Sequence, residues 1–399
     1  MIKIITFIAI AILPFSYFKL FANFSYSDLL FSIAFIIFSL NLVINRIFIK
    51  KIIKENIFFI PIAIFSFGFF LSWSNSLNHL DSFYSYLQIL FIFMILYPVF
   101  FSINFNHKYL IPVMYALAIS SSLIMILLIS YFLMGYDAFN DFLFIQKGWG
   151  NRFSYGNLEP NITARIMAQC VPIFLIVNEY LKKKIIIYVN YLFIGLLIIS
   201  IIATASRSGL IILIIGLFFY FLFKVRLNSN YKMNSLILPL SIFFLILYYI
   251  NINYSDVLIR PFERYYTIFD SSSSYSSTER LVVFEKAVEL IDKKPIIGYG
   301  MGNSDNLTGV VLHNPILLSW LENGLFGFIG LLIIYLMLIF YIYKDYMTRF
   351  SNNNLLMSLA LITLMMIIGD MFMAASYKRV LWVPCLIYLS YSNQILKKA

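Results

Sequence analysis

The chain has 399 residues, of which 62% are hydrophobic and only 12% are charged, and its formal net charge is +11 at pH 7. No soluble domain has this composition, so the sequence indicates an all-α polytopic membrane protein. Its basic residues cluster in short loops between apolar runs, as the positive-inside rule expects, and so the charge does not indicate a nucleic-acid partner. With two cysteines and three histidines, the chain offers neither a disulfide framework nor a histidine-rich metal site.

The apolar runs predict about twelve membrane spans, since one span needs about 20 residues. The first run lacks a signal-peptide cleavage site, so we expect an anchor. Loop charges predict a single membrane domain over 1–399, both termini in the cytoplasm, and one large periplasmic loop at 254–313 that contains an amphipathic helix. The predicted spans are 4–22, 27–45, 56–74, 84–104, 109–134, 160–181, 185–204, 208–224, 234–253, 314–342, 354–375 and 380–395.

Several cations fall on the predicted outer face, where the positive-inside rule disfavours them. A bound ligand would explain them, because a guanidinium group offers phosphate two parallel N–H donors. Pairing with outer carboxylates is the alternative. The cations are Arg152, Arg165, Arg207, Arg264, Arg280, Lys378 and Arg379, and the acids are Glu159, Glu263, Glu279 and Asp305.

Two of these arginines have a predictable local setting. Residues 204–209, with the sequence TASRSG, predict a tight turn between two spans that would fix Arg207 at the membrane surface. Pro160 fits the first turn of a helix, which would place Arg165 just inside the membrane.

The polar segment at 276–327 stands out against the apolar sequence around it. Ser276 and Glu279 have the spacing of a capping box and predict the start of a helix, which Pro295 would end. The spacing of its apolar residues predicts that four of them fall on one face of an amphipathic helix. That face consists of Leu281, Phe284, Val288 and Ile291.

Three glycines, Gly298, Gly300 and Gly302, follow this helix. They are weak as a phosphate motif, because neither a Walker nor a Rossmann context surrounds them, and they predict a tight turn towards the membrane. The sequence His-Asn-Pro beginning at His313 then predicts the start of the next span. Glu322 lies about two and a half helical turns further along it.

Two acids fall inside predicted spans, where a charged side chain is costly and usually has a partner or a function. Asp370 can pair with Lys378 or Arg379. Glu322 can pair with an arginine or orient His313.

Taken together, these features resemble the O-antigen ligase/O-antigen polymerase superfamily over about 150–390. The shared features are the Ser-Arg-Ser-Gly turn at Arg207, the helix with Arg280 before the glycines, and the His-Asn pair at His313 followed by Glu322 and Gly324. The resemblance implies a C-type glycosyltransferase-like fold in the bacterial inner membrane, with an active site facing the periplasm. It also implies an undecaprenyl-pyrophosphate-linked O-antigen donor and no metal or other cofactor.

Within that resemblance the residues take specific roles. Arg207 and Arg280 would stabilise the departing pyrophosphate, and His313 would accept the proton of the acceptor hydroxyl. Glu322 would orient His313, pair with an arginine, or contact the acceptor. Direct attack at the anomeric carbon would invert its configuration. The further substrate-binding candidates are Arg152, Arg165, Arg264, Lys378 and Arg379.

We expect an O-antigen polymerase, which adds the glycan to another lipid-linked repeat unit, because the Ile-, Asn- and Lys-rich composition is typical of an AT-rich repeat-unit gene cluster. A ligase that transfers the glycan to lipid A–core is the alternative. A lipid-linked oligosaccharide flippase is a further one, although no internal repeat is evident and polar residues gather at one membrane face. A non-catalytic partner would tolerate replacement of His313 or Arg207.

Overall fold

Helices form most of the chain that the structure describes, and six of them are long and apolar enough to cross a membrane. The predicted all-α membrane fold is confirmed, with one short β-ribbon added. The predicted count of twelve spans stays a prediction, because the span at 234–253 lies outside the described residues. This computed structural model describes residues 1–15, 19–21, 24–45, 56–103, 105–134, 159–227, 275–310, 312–350, 353–373 and 378–398.

The helix boundaries follow most predicted spans within a few residues. A π-helical turn, Phe91–Leu96, joins α4 to α5, and the ribbon pairs β1 (Lys19–Phe21) with β2 (Phe24–Ser25) in antiparallel order. The helices are α1 (Ile2–Ile12), α2 (Tyr26–Ile44), α3 (Phe59–Trp73), α4 (His79–Leu90), α5 (Tyr97–Ser102), α6 (His107–Met134), α7 (Pro160–Tyr180), α8 (Lys184–Ala203), α9 (Arg207–Leu227), α10 (Tyr275–Lys293), α11 (Ser304–Thr308), α12 (Pro315–Thr348), α13 (Asn354–Phe372) and α14 (Arg379–Lys398).

The first predicted span, 4–22, is wrong. Helix α1 ends at Ile12, and the N–H of Leu13 donates to Ile10 three residues back, so the chain tightens into a 3₁₀ turn. Pro14 follows and has no N–H with which to continue an α-helix. The chain then enters the β-ribbon before α2 begins.

Helix α12 packs along α3 through glycines. A Cβ on Gly68 would lie 2.5 Å from the backbone nitrogen of Gly327, and one on Gly330 would lie 2.7 Å from that of Phe65. Small residues let two membrane helices approach until their backbones touch, which is how such helices gain contact without a hydrophobic driving force. This pair forms the scaffold on which the polar segment is built.

Hydrogen bonds join helix ends into two polar layers, one at each end of the bundle. At one end, the side chain of Asn75 after α3 donates to the carbonyl oxygen of Gly298 over 3.1 Å. At the other, the N–H of Phe105 before α6 donates to Gln394 near the end of α14 over 2.8 Å. This division agrees with the alternating loops predicted from charge. Which end faces the periplasm stays a prediction.

Helix α10 confirms the predicted helix after Ser276, but most of the predicted apolar face does not pack against α12. The residues that pack against α12 are Val283, Ala287 and Ile291, spaced by four, and they contact Leu321. The helix is apolar on two sides, and the small side chain of Ala287 lets this side approach most closely. Three members of the predicted face, Leu281, Phe284 and Val288, are instead 62%, 48% and 37% exposed.

Candidate functional site

Helix α12 is interrupted at Gly324. Its φ of 64° and ψ of −164° lie in a region that only glycine adopts readily. A Cβ at this position would collide with the carbonyl oxygen of Ile296. That oxygen accepts a hydrogen bond from the N–H of Leu325 over 3.2 Å, so the break satisfies a backbone donor.

The chain segment 296–302, which we call the glycine loop, fills this break. The N–H of Tyr299 donates to the carbonyl oxygen of Leu321 over 3.0 Å, and that of Gly300 donates to Glu322 over 2.8 Å. The loop therefore supplies the donors that an unbroken helix would have supplied. The predicted tight turn is confirmed, since Gly298, Gly300 and Gly302 have φ of 76°, 91° and 78°.

The carboxyl group of Glu322 is buried beside this junction, with 4% of the residue exposed. One of its oxygens accepts a hydrogen bond from the N–H of Ser304, the first residue of α11, over 3.3 Å. Because an unpaired buried carboxylate is costly, the start of α11 stabilises this acid where α12 is broken.

Glu322 faces a cavity of about 280 Å³, which we call the α12 cavity. It lies between the N-terminal half of α12, residues 301–305 and the helices α3 and α4. Sequence reasoning missed its polar wall. The signal was present in α12, where Ser319, Glu322 and Asn323 are polar at a spacing of three and four in an apolar helix. The polar residues of the lining are Ser85, Glu159, Ser304, Asp305, Ser319, Glu322 and Asn323.

His313 lies immediately before α12, as predicted, and is partly exposed. Asn314 caps the helix, since its side-chain oxygen accepts from the N–H groups of Ile316 and Leu317, each over 3.0 Å. Pro315 is the first helical residue, where its missing N–H costs nothing. Of the described residues, those that line the α12 cavity do not include His313.

Arg207 begins α9, directly after the predicted turn, which is confirmed. The side chain of Ser206 is fully buried and accepts from the N–H of Gly209 over 3.1 Å. Ala205 has a φ of 49°, unusual for a residue other than glycine. The turn therefore fixes the backbone of Arg207, whose side chain is partly exposed and is not among the described residues that line the α12 cavity.

Arg165 lies inside the bundle and is 1% exposed. Its guanidinium group lies 2.5 Å from a carboxylate oxygen of Asp370 on α13, whose other oxygen accepts from the hydroxyl of Tyr335 on α12 over 2.6 Å. The pair joins α7, α12 and α13. Asp370 thus pairs with Arg165 and with neither of the two partners considered from sequence.

Arg379 has a similar setting. Its Nε lies 2.7 Å from a carboxylate oxygen of Asp28 on α2, and Asp28 is fully buried. For Arg165 and Arg379 this geometry favours pairing with carboxylates over ligand binding. The partners, Asp370 and Asp28, are not among the four outer acids named from the sequence. The sequence could not show this, because each pair joins distant helices.

The remaining candidates are placed as follows. Arg280 lies on α10, which packs against α11 and α12, so its helix belongs to the same unit as Glu322. Lys378 precedes α14 and is partly exposed. Arg152 and Arg264 lie outside the described residues.

The chain matches a protein family model over part of its length. The model described as O-Antigen ligase matches residues 192–332. The comparison with curated proteins finds no match. The matched region runs from α8 through the first half of α12, and it contains Arg207, Arg264, Arg280, His313 and Glu322.

The match and the apolar helices together indicate a multi-pass membrane protein of the glycan-transferase type, with a place in lipopolysaccharide biosynthesis and lipid-linked glycans as substrates. The turn at Arg207, the docked helix α10, the glycine loop and the broken helix α12 all fall within the matched residues. The match over 192–332 to the model described as O-Antigen ligase thus supports a place for this chain in the O-antigen ligase/O-antigen polymerase superfamily.

Proposed function

We propose that this chain is an O-antigen polymerase of the bacterial inner membrane, which extends a glycan carried on undecaprenyl pyrophosphate at the periplasmic face. The observation that carries the proposal is the unit formed by α10, the glycine loop and α12 inside the family region, with the buried acid Glu322 at its centre. We further propose that 1–399 forms one membrane domain and that 254–313 lies in the periplasm.

The proposed reaction is a direct displacement. The oxygen of the acceptor hydroxyl group forms a bond to the anomeric carbon of the donor sugar. The bond from that carbon to the pyrophosphate oxygen breaks. The electron pair leaves with the pyrophosphate, and the hydroxyl proton passes to a protein base. Attack from the opposite face inverts the anomeric configuration, and the proposal invokes no metal ion.

Each candidate residue is assigned one role, in the reaction or in joining helices. Arg207 and Arg280 bind the departing pyrophosphate, one from a fixed turn and one from the first turns of a helix, because charge develops there in the transition state. His313 accepts the hydroxyl proton. Glu322 contacts the acceptor. Further donor contacts are assigned to Arg152, Arg264 and Lys378, and a helix-joining role to Arg165 and Arg379.

The test is transfer by purified protein in lipid vesicles that contain the lipid-linked donor. We expect His313→Ala and Arg280→Ala each to lower the rate by about 100-fold or more, the usual cost of losing a general base or a charge-stabilising group. The matched controls are His79→Ala and Lys286→Ala, which remove an exposed histidine and an exposed lysine of α10. Normal rates in either test variant, at normal abundance, would remove that residue from the mechanism.

The ligase is kept as a second candidate because the matching family model is described by that activity. The lipopolysaccharide ladder of a deletion strain separates the two. A single-repeat band indicates a lost polymerase, whereas bare core with accumulating lipid-linked polymer indicates a lost ligase. A flippase would instead show lipid-linked glycan trapped on the cytoplasmic leaflet and no transfer by the purified protein.

A further inference from the structure

The turn after α3 and the first turn of α4, residues 74–82, contact the glycine loop, and we call this segment the α3–α4 turn. A Cβ on Gly300 would lie 2.6 Å from the Cα of Ser76, so the two backbones touch. In the same turn, the side chain of Asn75 donates to the carbonyl oxygen of Gly298. The α3–α4 turn thus packs directly on the loop that fills the break in α12, although it lies outside the matched residues 192–332.

Two buried serines of the α3–α4 turn form a hydrogen-bonded network with residues 301 and 303. Ser82 is fully buried, and its hydroxyl donates to the carbonyl oxygen of Met301. The hydroxyl of Ser76 contacts that of Ser82 and accepts from the side-chain amide of Asn303 over 3.2 Å. Because these groups are buried, the loss of one partner leaves another polar atom without its hydrogen bond.

Asn303 uses its side chain in this network and not as a helix cap. It is the residue before α11, where an asparagine side chain usually accepts from an N–H two or three residues later. Here it makes no such capping bond, and its amide donates to Ser76 and to the carbonyl oxygen of Tyr299, the latter over 2.9 Å. The α3–α4 turn and the glycine loop therefore set the orientation of Asn303.

These contacts flank the N–H group that binds the buried acid. Asn303 directly precedes Ser304, and Met301 lies three residues before it. The N–H of Ser304 donates to a carboxylate oxygen of Glu322 over 3.3 Å. This bond is longer than most N–H···O hydrogen bonds, so a small displacement of residues 301–304 would break it. The position of the carboxyl group thus depends on side chains outside α12.

Packing between the helices does not require these hydroxyl groups. Helix α3 already meets α12 at the close backbone contacts of Gly68 and Gly330. An alanine in place of either serine would remove one oxygen atom and leave the backbone unchanged. The hydroxyl groups add direction, since they fix one carbonyl group and one amide group beside Glu322.

We propose that Ser76 and Ser82 are positioning residues, which act through residues 301–304 to hold the carboxyl group of Glu322 where it contacts the acceptor. This inference rests on the proposed transferase function. Neither serine is among the described residues that line the α12 cavity. The matched region 192–332 is then completed by a segment outside the match.

The first test follows residue 304 directly and does not depend on transfer. Amide hydrogen exchange is measured by mass spectrometry on the full-length protein in detergent, in peptides that contain the N–H of Ser304. Ser82→Ala should raise the exchange rate at 302–305 about fivefold, the effect of about one net hydrogen bond on local opening. An unchanged exchange rate there would overturn the inference.

The matched control is Ser358→Ala. Ser358 on α13 is also buried, but its hydroxyl donates to the carbonyl oxygen of Asn354 in the same helix. This variant should leave the exchange rate at 302–305 unchanged. Equal increases in the two variants would indicate a general loosening of the bundle and would contradict the proposal.

The second test measures kcat for transfer in lipid vesicles. Ser82→Ala should lower kcat about tenfold, because a misplaced group loses much of its catalytic effect. In the Glu322→Gln protein the same change should lower kcat by less than about twofold, since the group that it positions is already absent. A loss of the same factor in both proteins would show that Ser82 has a structural role only.

Asn303→Ala tests the network from its other end. It removes the amide that donates to Ser76, and its effect on kcat should show the same dependence on Glu322. This variant decides the question if the melting curve shows that Ser82→Ala does not fold. Independent losses from Asn303→Ala and Glu322→Gln would count against the proposal.

The proposed function and the positioning role can fail separately. If the unmodified protein transfers no glycan, the proposed function is wrong, while hydrogen exchange still tests whether the network holds Ser304. If transfer proceeds but the losses from Ser82→Ala and Glu322→Gln multiply, the positioning role alone is wrong.

Discussion

The N–H of Gly300 donates to the carbonyl oxygen of Glu322 over 2.8 Å, although the two residues belong to separate elements. The bond ties the glycine loop to α12 at the turn where the helix is broken. It also holds the backbone of the buried acid, so the position of its carboxyl group depends on the loop. The first two predictions follow from this arrangement.

Gly324→Ala should destabilise the protein. The backbone strain alone costs about 1–3 kcal/mol, and the new Cβ would also collide with the carbonyl oxygen of Ile296. The measurement is thermal unfolding in detergent. The control is Gly309→Ala, where φ is 83° but no atom lies within 4 Å of the added Cβ. Equal losses of thermal stability in the two variants would show that the new Cβ does not collide with Ile296.

Glu322→Gln should retain the fold and lose transfer. The amide has the same shape and can still accept from the N–H of Ser304, but it carries no charge. We expect the rate to fall about 100-fold if a charged carboxyl group acts on the acceptor. The control is Glu289→Gln, an exposed acid on α10. A Glu322→Gln variant with the rate of the unmodified protein would show that shape alone is required.

Asp370→Asn should destabilise the protein by about 3–5 kcal/mol, because it leaves the buried guanidinium group of Arg165 without its counter-charge. The double variant Arg165→Met/Asp370→Leu should lose less than the single one, since no buried charge remains. Melting curves in detergent measure both. An Asp370→Asn protein as stable as the parent would show that the pair contributes little.

The exposed pair Glu289 and Lys293 is the control for this prediction. The hydrogen bond from Lys293 lowers the pKa of Glu289, but both side chains face solvent. Loss of this ion pair should leave the melting curve unchanged, because solvent screens a pair of charges at the surface.

Gly330→Ala should lower thermal stability because its Cβ would meet backbone atoms of α3, 2.7 Å from the nitrogen of Phe65. Backbone cannot move aside without separating α3 from α12. Gly216→Ala is the control, since its Cβ would lie 2.6 Å from the terminal methyl of Met365, a flexible side chain that can change rotamer. A greater loss in Gly216→Ala would contradict this account.

Local signals in the sequence were sufficient to predict where several helices begin. Pro160 and Pro315 each occupy the first turn of a helix, and Asn314 caps the second of these helices. The turn before Arg207 followed from its short polar sequence between two apolar runs. These predictions succeeded because the atoms that decide them lie within a few residues of one another.

Other features could not be predicted from neighbouring residues in the sequence. Asp370 lies 205 residues from Arg165, and several acids were equally plausible partners in sequence. Helix α10 carries two apolar stripes, and only its contact with Leu321 selects the one that is buried. The carboxyl groups of the α12 cavity come from three separate elements.

The sequence by itself determined that the chain is an α-helical membrane protein and where its polar segment lies, because the length of an apolar run and the residues that cap a helix are local properties of the chain. Tertiary structure alone decided that Arg165 and Arg379 are joined to carboxylates and that Glu322, Asp305 and Ser319 share one cavity. The physical reason is that burial and ion pairing depend on which helices pack together, and close backbone contacts at residues such as Gly68, Gly324 and Gly330 set that packing.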